Sequence, residues 1–147
     1  MSFLHLAANE VDRTKTVYTF AGENIDPKKN MDIAWVGESF SLNGKQYSAV
    51  DMNHPDNPKG TKTSAYRDYG RFGMFPKTSV KSGESFTFKY RFIVAEGEMP
   101  SAEIIQKTCN EFTGGAGAVP KTTVKPADKS GSPKPKEAKP AKKLDAK

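Results

Sequence analysis

The sequence predicts a mainly β protein: an antiparallel β-sandwich with one short C-terminal helix and a disordered tail. Three features predict it: short segments rich in β-branched and aromatic residues, an Asn-Gly dipeptide between two of them, and one sustained apolar–polar alternation. At 147 residues the chain has room for one domain. We place that domain at residues 1–113 and the tail at residues 114–147.

The first strands are predicted by composition and by one turn. Thr14–Phe20 and Ile33–Leu42 have the β-branched and aromatic content of half-buried strands. Asn43-Gly44, which tolerates positive φ at both turn positions, then predicts a type I′ hairpin leading into Gln46–Met52. Ser64–Phe75 contains a further extended segment that glycines interrupt.

Ser85–Ala95 has the clearest strand pattern, and a predicted turn at Lys81–Glu84 precedes it. Its aromatic residues recur at every second position, so we expect them on one face, toward the core. They are Phe86, Phe88, Tyr90 and Phe92.

Pro100–Phe112 is predicted to be the helix, because proline suits a first turn and Glu103 complements the positive end of the helix dipole. Its apolar stripe consists of Ile104, Ile105, Cys109 and Phe112. Cys109 is the single cysteine, which excludes an intrachain disulfide framework and a cysteine-rich metal site. We interpret it as a small buried hydrophobic residue.

The net charge of +6 lies entirely in the tail, where residues 121–147 hold nine lysines against three acidic residues. Residues 1–120 balance at 14 basic and 14 acidic side chains, so the folded body has no charge excess with which to bind nucleic acid specifically. The tail has too few apolar residues to fold by itself. Its functional alternative is a polycationic tether to an anionic polymer or membrane surface.

Several other classes find no support in the sequence. No apolar run approaches the roughly 18 residues of a membrane span, and the first ten residues do not resemble a secretory signal. The nucleotide-binding and hydrolase motifs are missing as well. The two histidines, His5 and His54, are far apart in sequence, so we predict no metal site and no cofactor.

The candidate functional residues cluster in a polar segment, residues 54–73. His54 directly follows a predicted strand and could act as a general base or as a hydrogen-bonded loop residue. Asn57 is typical of an Asx turn. Alternation places Arg67 on the same side as Tyr69 and Arg71, with Asp68 opposite. Such a group could hold a carboxylate or stack on a sugar, or it could form a solvent-facing ion pair.

An ordered series of short motifs suggests a family. It comprises Asn43-Gly44-Lys45, His54-Pro55-x-Asn57-Pro58-Lys59, Arg67-Asp68-Tyr69-Gly70-x-Phe72, Pro76, Ser82-Gly83-Glu84-Ser85 and Tyr90-Arg91-Phe92. Over residues 33–112 the chain resembles the PmoA-like ("methane oxygenase PmoA") bacterial family of unknown function, which is common in planctomycetes. Ser64 and Ala65 depart from that family, many members of which carry Trp-His at these positions.

The resemblance implies a β-sandwich similar to the supersandwiches of sugar mutarotases, in proteins that are usually exported and often near carbohydrate metabolism. It also implies that this chain corresponds to the C-terminal half of a longer protein, truncated at its N-terminus. The methane-oxidation label fits poorly, because a membrane copper subunit would need membrane-spanning helices.

Our leading hypothesis is a protein that binds or processes a carbohydrate-like or sugar-acid ligand. In an enzyme, His54 would be the base, Arg67 would hold the substrate and Asp68 would complete the catalytic group. In a binding module, the ligand would contact Trp35, Asn57, Tyr66, Tyr69 and Arg71. A third reading is a structural module, or a fragment that needs a partner at an exposed sheet edge. The sequence leaves open whether the protein is an enzyme.

Overall fold

The computed structural model describes residues 2–5, 10–68 and 71–129, with backbone alone for residues 3–5. Over these residues the chain forms eight strands and one helix. The elements are β1 (Ser2–His5), β2 (Val17–Ala21), β3 (Trp35–Leu42), β4 (Lys45–Asn53), β5 (Lys62–Ser64), β6 (Arg71–Phe75), β7 (Tyr90–Glu96), α1 (Ala102–Thr113) and β8 (Thr122–Pro126).

The strands form two antiparallel sheets, as predicted. The larger has the order β7-β4-β3-β2-β8 and the smaller the order β1-β6-β5. The predicted hairpin joins β3 to β4, with Trp35 paired to Met52. Asn43 and Gly44 both have positive φ, 50° and 79°, as a type I′ turn requires.

The larger sheet is the central layer, because each of its faces is covered by a different apolar core. One face packs on the smaller sheet through Tyr18, Phe20, Val36, Phe40, Ala49, Phe72 and Met74, among others. The opposite face packs on α1 through Trp35, Val50, Met52, Ile105 and Cys109. Strand alternation produces this division, since Trp35 and Val36 are neighbours that point to opposite faces.

The helix begins and ends close to its predicted limits. Ser101 is the N-cap residue, with its side-chain oxygen accepting from the Ile104 backbone N–H, and Gly114 ends the helix with a φ of 67°. Cys109 is buried and free, as predicted. Ile104 departs from the predicted stripe, because 57% of its surface is exposed.

The prediction for residues 85–95 is wrong in extent, and its facing holds only in part, because Phe88 and Tyr90 are half-buried and Tyr90 packs against the first core. The strand begins only at Tyr90, and Phe86 and Phe92 are 43% and 40% exposed. Phe92 lies opposite Asp51, on the face directed toward the smaller sheet, and is exposed there. The alternation of apolar and polar residues separates the two faces of the strand, but it does not show how much of each face other elements cover.

The prediction of disorder from residue 114 onward is wrong for β8. This strand pairs along the whole of β2, from Val17 opposite Pro126 to Ala21 opposite Thr122. Its sequence, TTVKP, has one apolar residue, Val124, which is 61% exposed. Backbone hydrogen bonds therefore hold it in place. Residues 130–147 of the predicted tail lie outside the described residues.

Candidate functional site

Two adjacent cavities share Tyr66 in their lining, and we call them together the Tyr66 cleft. Their volumes are about 310 Å³ and about 260 Å³. Both are lined by Pro27, Lys28 and Tyr66. The larger is completed by Lys29, Asn30, Met31, Lys62, Thr63, Ser64 and Phe75. The smaller is completed by Asp26, Ala65, Lys125, Pro126 and Asp128.

A tight turn presents the lysines at one wall of the Tyr66 cleft. The backbone N–H groups of Lys29 and Asn30 donate to the Asp26 carbonyl at 3.0 and 2.8 Å. The Asp26 carboxylate accepts from the Lys28 backbone N–H at 3.0 Å, and this hydrogen bond lowers the pKa of Asp26. The turn is therefore held by Asp26 and Asn30, which leaves Lys28 and Lys29 at the opening.

The aromatic floor of the cleft carries two cations. The Lys28 ammonium lies 5.1 Å from the centre of the Tyr66 ring, and the Arg67 guanidinium lies 5.3 Å from it. Lys28 also forms a 2.8 Å ion pair with Asp128, and this hydrogen bond raises the pKa of Lys28. Arg67 Nη2 donates to the Tyr66 hydroxyl at 3.3 Å.

The charge of the cleft is positive. Four lysines line it, against two carboxylates. The lysines are Lys28, Lys29, Lys62 and Lys125, and the carboxylates are Asp26 and Asp128. The cleft therefore combines an excess of two positive charges with an aromatic ring, and Tyr66 is the one of these residues that the sequence had singled out.

A buried carboxyl lies directly below the backbone of the Arg67 segment. The Tyr18 hydroxyl is 2.6 Å from the Arg67 carbonyl oxygen and 3.0 Å from Glu38 Oε1. The Tyr18 hydroxyl is the donor to both oxygens, which share its one hydrogen. Burial raises the pKa of Glu38 to about 8, while the hydrogen bond from Tyr18 acts in the opposite direction and lowers it.

A second buried carboxyl, Asp51, lies on the neighbouring strand and the same face of the sheet. Its Oδ2 accepts a 2.7 Å hydrogen bond from the Ser2 hydroxyl. Burial raises its pKa to about 7. None of the cavities described here is lined by Asp51 or Glu38. Both carboxyl side chains are fully buried.

His54 holds a loop and packs on the helix. Its ring meets Phe112 edge-on, with 5.0 Å between the ring centres. Its Nδ1 accepts from the Asp56 backbone N–H at 3.2 Å. The side chain is 12% exposed. These contacts fit the structural interpretation of His54 that the sequence left open.

Asn57 connects this loop to the residue before β7. Its side-chain amide donates to the Lys89 carbonyl at 2.7 Å, and its side-chain oxygen accepts from the Lys89 backbone N–H at 2.8 Å. A second amide hydrogen bond goes to Asn53 at 2.8 Å. Asn57 is 4% exposed, so its hydrogen-bonding groups are used inside the protein.

The remaining predicted residues take up different positions. Trp35 is fully buried and donates from its indole to Gln106 at 3.1 Å, so its ring has no surface for stacking a sugar. Asp68 is 4% exposed, and its carbonyl accepts from the Thr16 hydroxyl. The Arg71 guanidinium lies 6.0 Å from the Phe75 ring centre. Tyr69 lies outside the described residues.

The structure does not bring His54 and Arg67 together. The backbone of His54 bonds to Lys89, next to the β7 edge of the larger sheet, and its ring contacts α1. Arg67 forms a bridge with Asp128, next to the β8 edge. The two residues are thus at opposite edges of a five-stranded sheet, whereas Arg67, Tyr66 and Asp68 remain together.

Sequence reasoning missed the lysines that surround Tyr66. Three of them come from separate segments, at Lys28, Lys62 and Lys125. No local pattern links such positions. Glu38 did carry a signal, because it stands between Val36 and Phe40 on the apolar side of a predicted strand.

Within residues 2–5, 10–68 and 71–129, no group of three or more histidine, cysteine, aspartate or glutamate side chains could hold a metal ion. The same part of the chain has no helix long and apolar enough to cross a membrane.

Comparison with protein families gives one match, to the model of a family of unknown function, DUF6807, over residues 4–109. No curated protein and no solved structure matches the chain.

Proposed function

This chain belongs to the DUF6807 family of unknown function, and we propose that it binds an anionic carbohydrate-like ligand in the Tyr66 cleft. One observation carries the proposal: the two cavities that share Tyr66 have four lysines in their lining. The proposal concerns binding and includes no proton transfer, since His54 lies at the other edge of the sheet.

The chemistry of the cleft selects the ligand class. An aromatic face supplies a flat apolar surface on which a sugar ring can stack, and lysine ammonium groups attract carboxylates. Each cavity is at or just below the lower end of the range for small-molecule sites, which suits a unit about the size of a monosaccharide. Glucuronate and galacturonate meet both requirements.

The PmoA-like relationship remains part of the proposal. Its motifs lie between residues 33 and 112, and the region that matches DUF6807 ends at residue 109. The expectations that came with this relationship, namely export and a place near carbohydrate metabolism, stay predictions.

Nuclear magnetic resonance titration with glucuronate, and with glucose as its neutral counterpart, tests the proposal. We expect glucuronate to shift the signals of residues in the Tyr66 cleft and glucose to do so far more weakly. Tyr66→Ala and Lys62→Ala should each weaken glucuronate binding by about tenfold, the value of one charged or stacking contact.

Lys45→Ala is the matched control, because Lys45 is an exposed lysine paired with Glu96 on β7, far from the cleft. It should leave the affinity unchanged. If Lys62→Ala and Lys45→Ala bind glucuronate with equal affinity, or if glucose shifts the cleft signals as strongly as glucuronate does, the cleft does not select a sugar acid. If galacturonate and glucuronate both leave the cleft signals unchanged, the proposal is overturned.

A further inference from the structure

The outer edge of β7 is unpaired within the described residues, where β7 bonds to β4 alone. Just before the strand, the Lys89 carbonyl accepts from His54, and just after it the Gly97 N–H donates to Gln46 at 2.8 Å. The N–H and C=O of one residue in an antiparallel strand point to the same side, and the side alternates. Odd-numbered residues therefore bond to β4, and the backbone of even-numbered residues points outward.

Apolar side chains stand at these same even positions. Phe92 is 40% exposed and Val94 is 66% exposed. Soluble proteins usually protect a sheet edge with a charge, a proline or a bulge. The middle of β7, from Phe92 to Ala95, carries none of these.

The outer edge of β7 is complementary to the same edge of a second, antiparallel copy of β7. If a two-fold axis passes between the Ile93 residues of the two copies, Phe92 of each copy lies opposite Val94 of the other copy. Tyr90 then lies opposite Glu96. All of these are even-numbered residues, so their outward N–H and C=O groups meet as hydrogen-bonded pairs. Aromatic and β-branched residues form favourable cross-strand pairs.

The charges around β7 favour the same arrangement. Lys89 and Arg91 are at the beginning of the segment, and Glu96 and Glu98 are at its end. Antiparallel pairing of two copies places the basic end of each beside the acidic end of the other. A parallel arrangement would place like charges together, which opposes association.

We propose that β7 pairs antiparallel with β7 of a second copy of this chain, in the register centred on Ile93. The two five-stranded sheets then form one continuous sheet. Because the same edge is used on both copies, association stops at the dimer. The Tyr66 cleft is at the opposite edge and stays open.

Sedimentation velocity over a range of concentrations tests the pairing and its register. The wild-type chain should be in monomer–dimer equilibrium. Phe92→Lys with Val94→Lys should raise the dissociation constant by about tenfold or more, because lysines then face lysines across the axis. Phe92→Lys with Val94→Glu places opposite charges in register and should restore the dimer.

Oxidative cross-linking gives a second measurement that does not depend on affinity. Ile93→Cys puts a cysteine opposite its own copy in a non-hydrogen-bonded pair, where Cα atoms are about 4.5 Å apart, within disulfide range. Val94→Cys is the control, since its copy is a diagonal neighbour about 7–8 Å away. Cys109 is buried, so the background is low.

A disulfide dimer from Ile93→Cys and little from Val94→Cys supports the register. A wild-type chain that sediments as a monomer at every concentration overturns the proposal. The proposal is also overturned if the variant with Phe92→Lys and Val94→Lys dimerises as strongly as the wild-type chain while circular dichroism shows both proteins to be folded. The contact between copies must then be elsewhere.

Discussion

Glu38 lies at the centre of the larger sheet, on the apolar side of β3 between Val36 and Phe40. Its surface is fully buried, and this burial raises the pKa of the carboxyl to about 8, although the hydrogen bond from Tyr18 lowers it. A buried carboxyl of this kind costs little while it is neutral and much when it is charged. The consequence of Glu38 is therefore a dependence of stability on pH.

We expect the free energy of unfolding to fall as the pH rises from about 4.5 to about 8. The folded-state pKa of Glu38, about 8, is above its ordinary value of 4.5, so the folded chain holds a proton that the unfolded chain releases. The loss is roughly 1.4 kcal/mol per pH unit inside this window. Asp51 adds to this loss of stability between its ordinary pKa of 3.8 and its raised pKa of about 7.

Glu38→Gln removes the charge and keeps an oxygen that accepts from Tyr18, so its stability should fall less above pH 7 than that of the wild-type chain. Urea unfolding at several pH values measures this. Glu23→Gln, at an exposed position paired with Lys121, is the control and should keep the wild-type slope. If the stability of the Glu38→Gln chain fell with pH as steeply as that of the wild-type chain, it would contradict a protonated Glu38 in the folded state.

At the scale of elements, local signals were reliable where the backbone was the deciding factor. Asn43-Gly44 and Gly114 have the positive φ values that their positions require, so the hairpin and the helix end were predictable. Residues 85–95 were different. How much of each side chain in this segment is covered depends on residues from other parts of the chain, such as the core against which Tyr90 packs.

Two phenylalanine substitutions compare a covered and an uncovered position. Phe72→Ala should reduce the free energy of unfolding by about 3–5 kcal/mol, since Phe72 is fully buried between the sheets. Phe86→Ala should reduce it by less than about 1 kcal/mol, because Phe86 is 43% exposed and its ring lies beside that of Phe88, with 4.9 Å between the ring centres. Equal losses in guanidinium unfolding would contradict the observed facing.

At the scale of the whole molecule, β8 connects the end of the described chain to its beginning. Residues 122–126 pair with residues 17–21, about 100 positions away, and Asp128 reaches Lys28 and Tyr66. The family match ends at residue 109, so β8 lies beyond it. One wall of the Tyr66 cleft depends on this strand.

Truncation separates β8 from the basic residues that follow. A chain ending at Lys129 should unfold at the same denaturant concentration as the full chain. A chain ending at Pro120 should lose at least about 2 kcal/mol, because the hydrogen bonds between β2 and β8 are removed at roughly 1 kcal/mol each. Identical midpoints for the two truncated chains would show that β8 adds no stability.

The sequence by itself determined the fold class, the hairpin and the helix, because turn chemistry, residue periodicity and composition act over a few neighbouring positions. It also pointed to Tyr66 and the Arg67 segment as candidates, which stays a prediction. Only the tertiary structure decided that His54 belongs to the opposite edge, that lysines from three segments surround Tyr66, and that β8 is a strand. Each of these depends on which distant strands pair, and pairing energy is shared between two segments, so neither segment carries it alone.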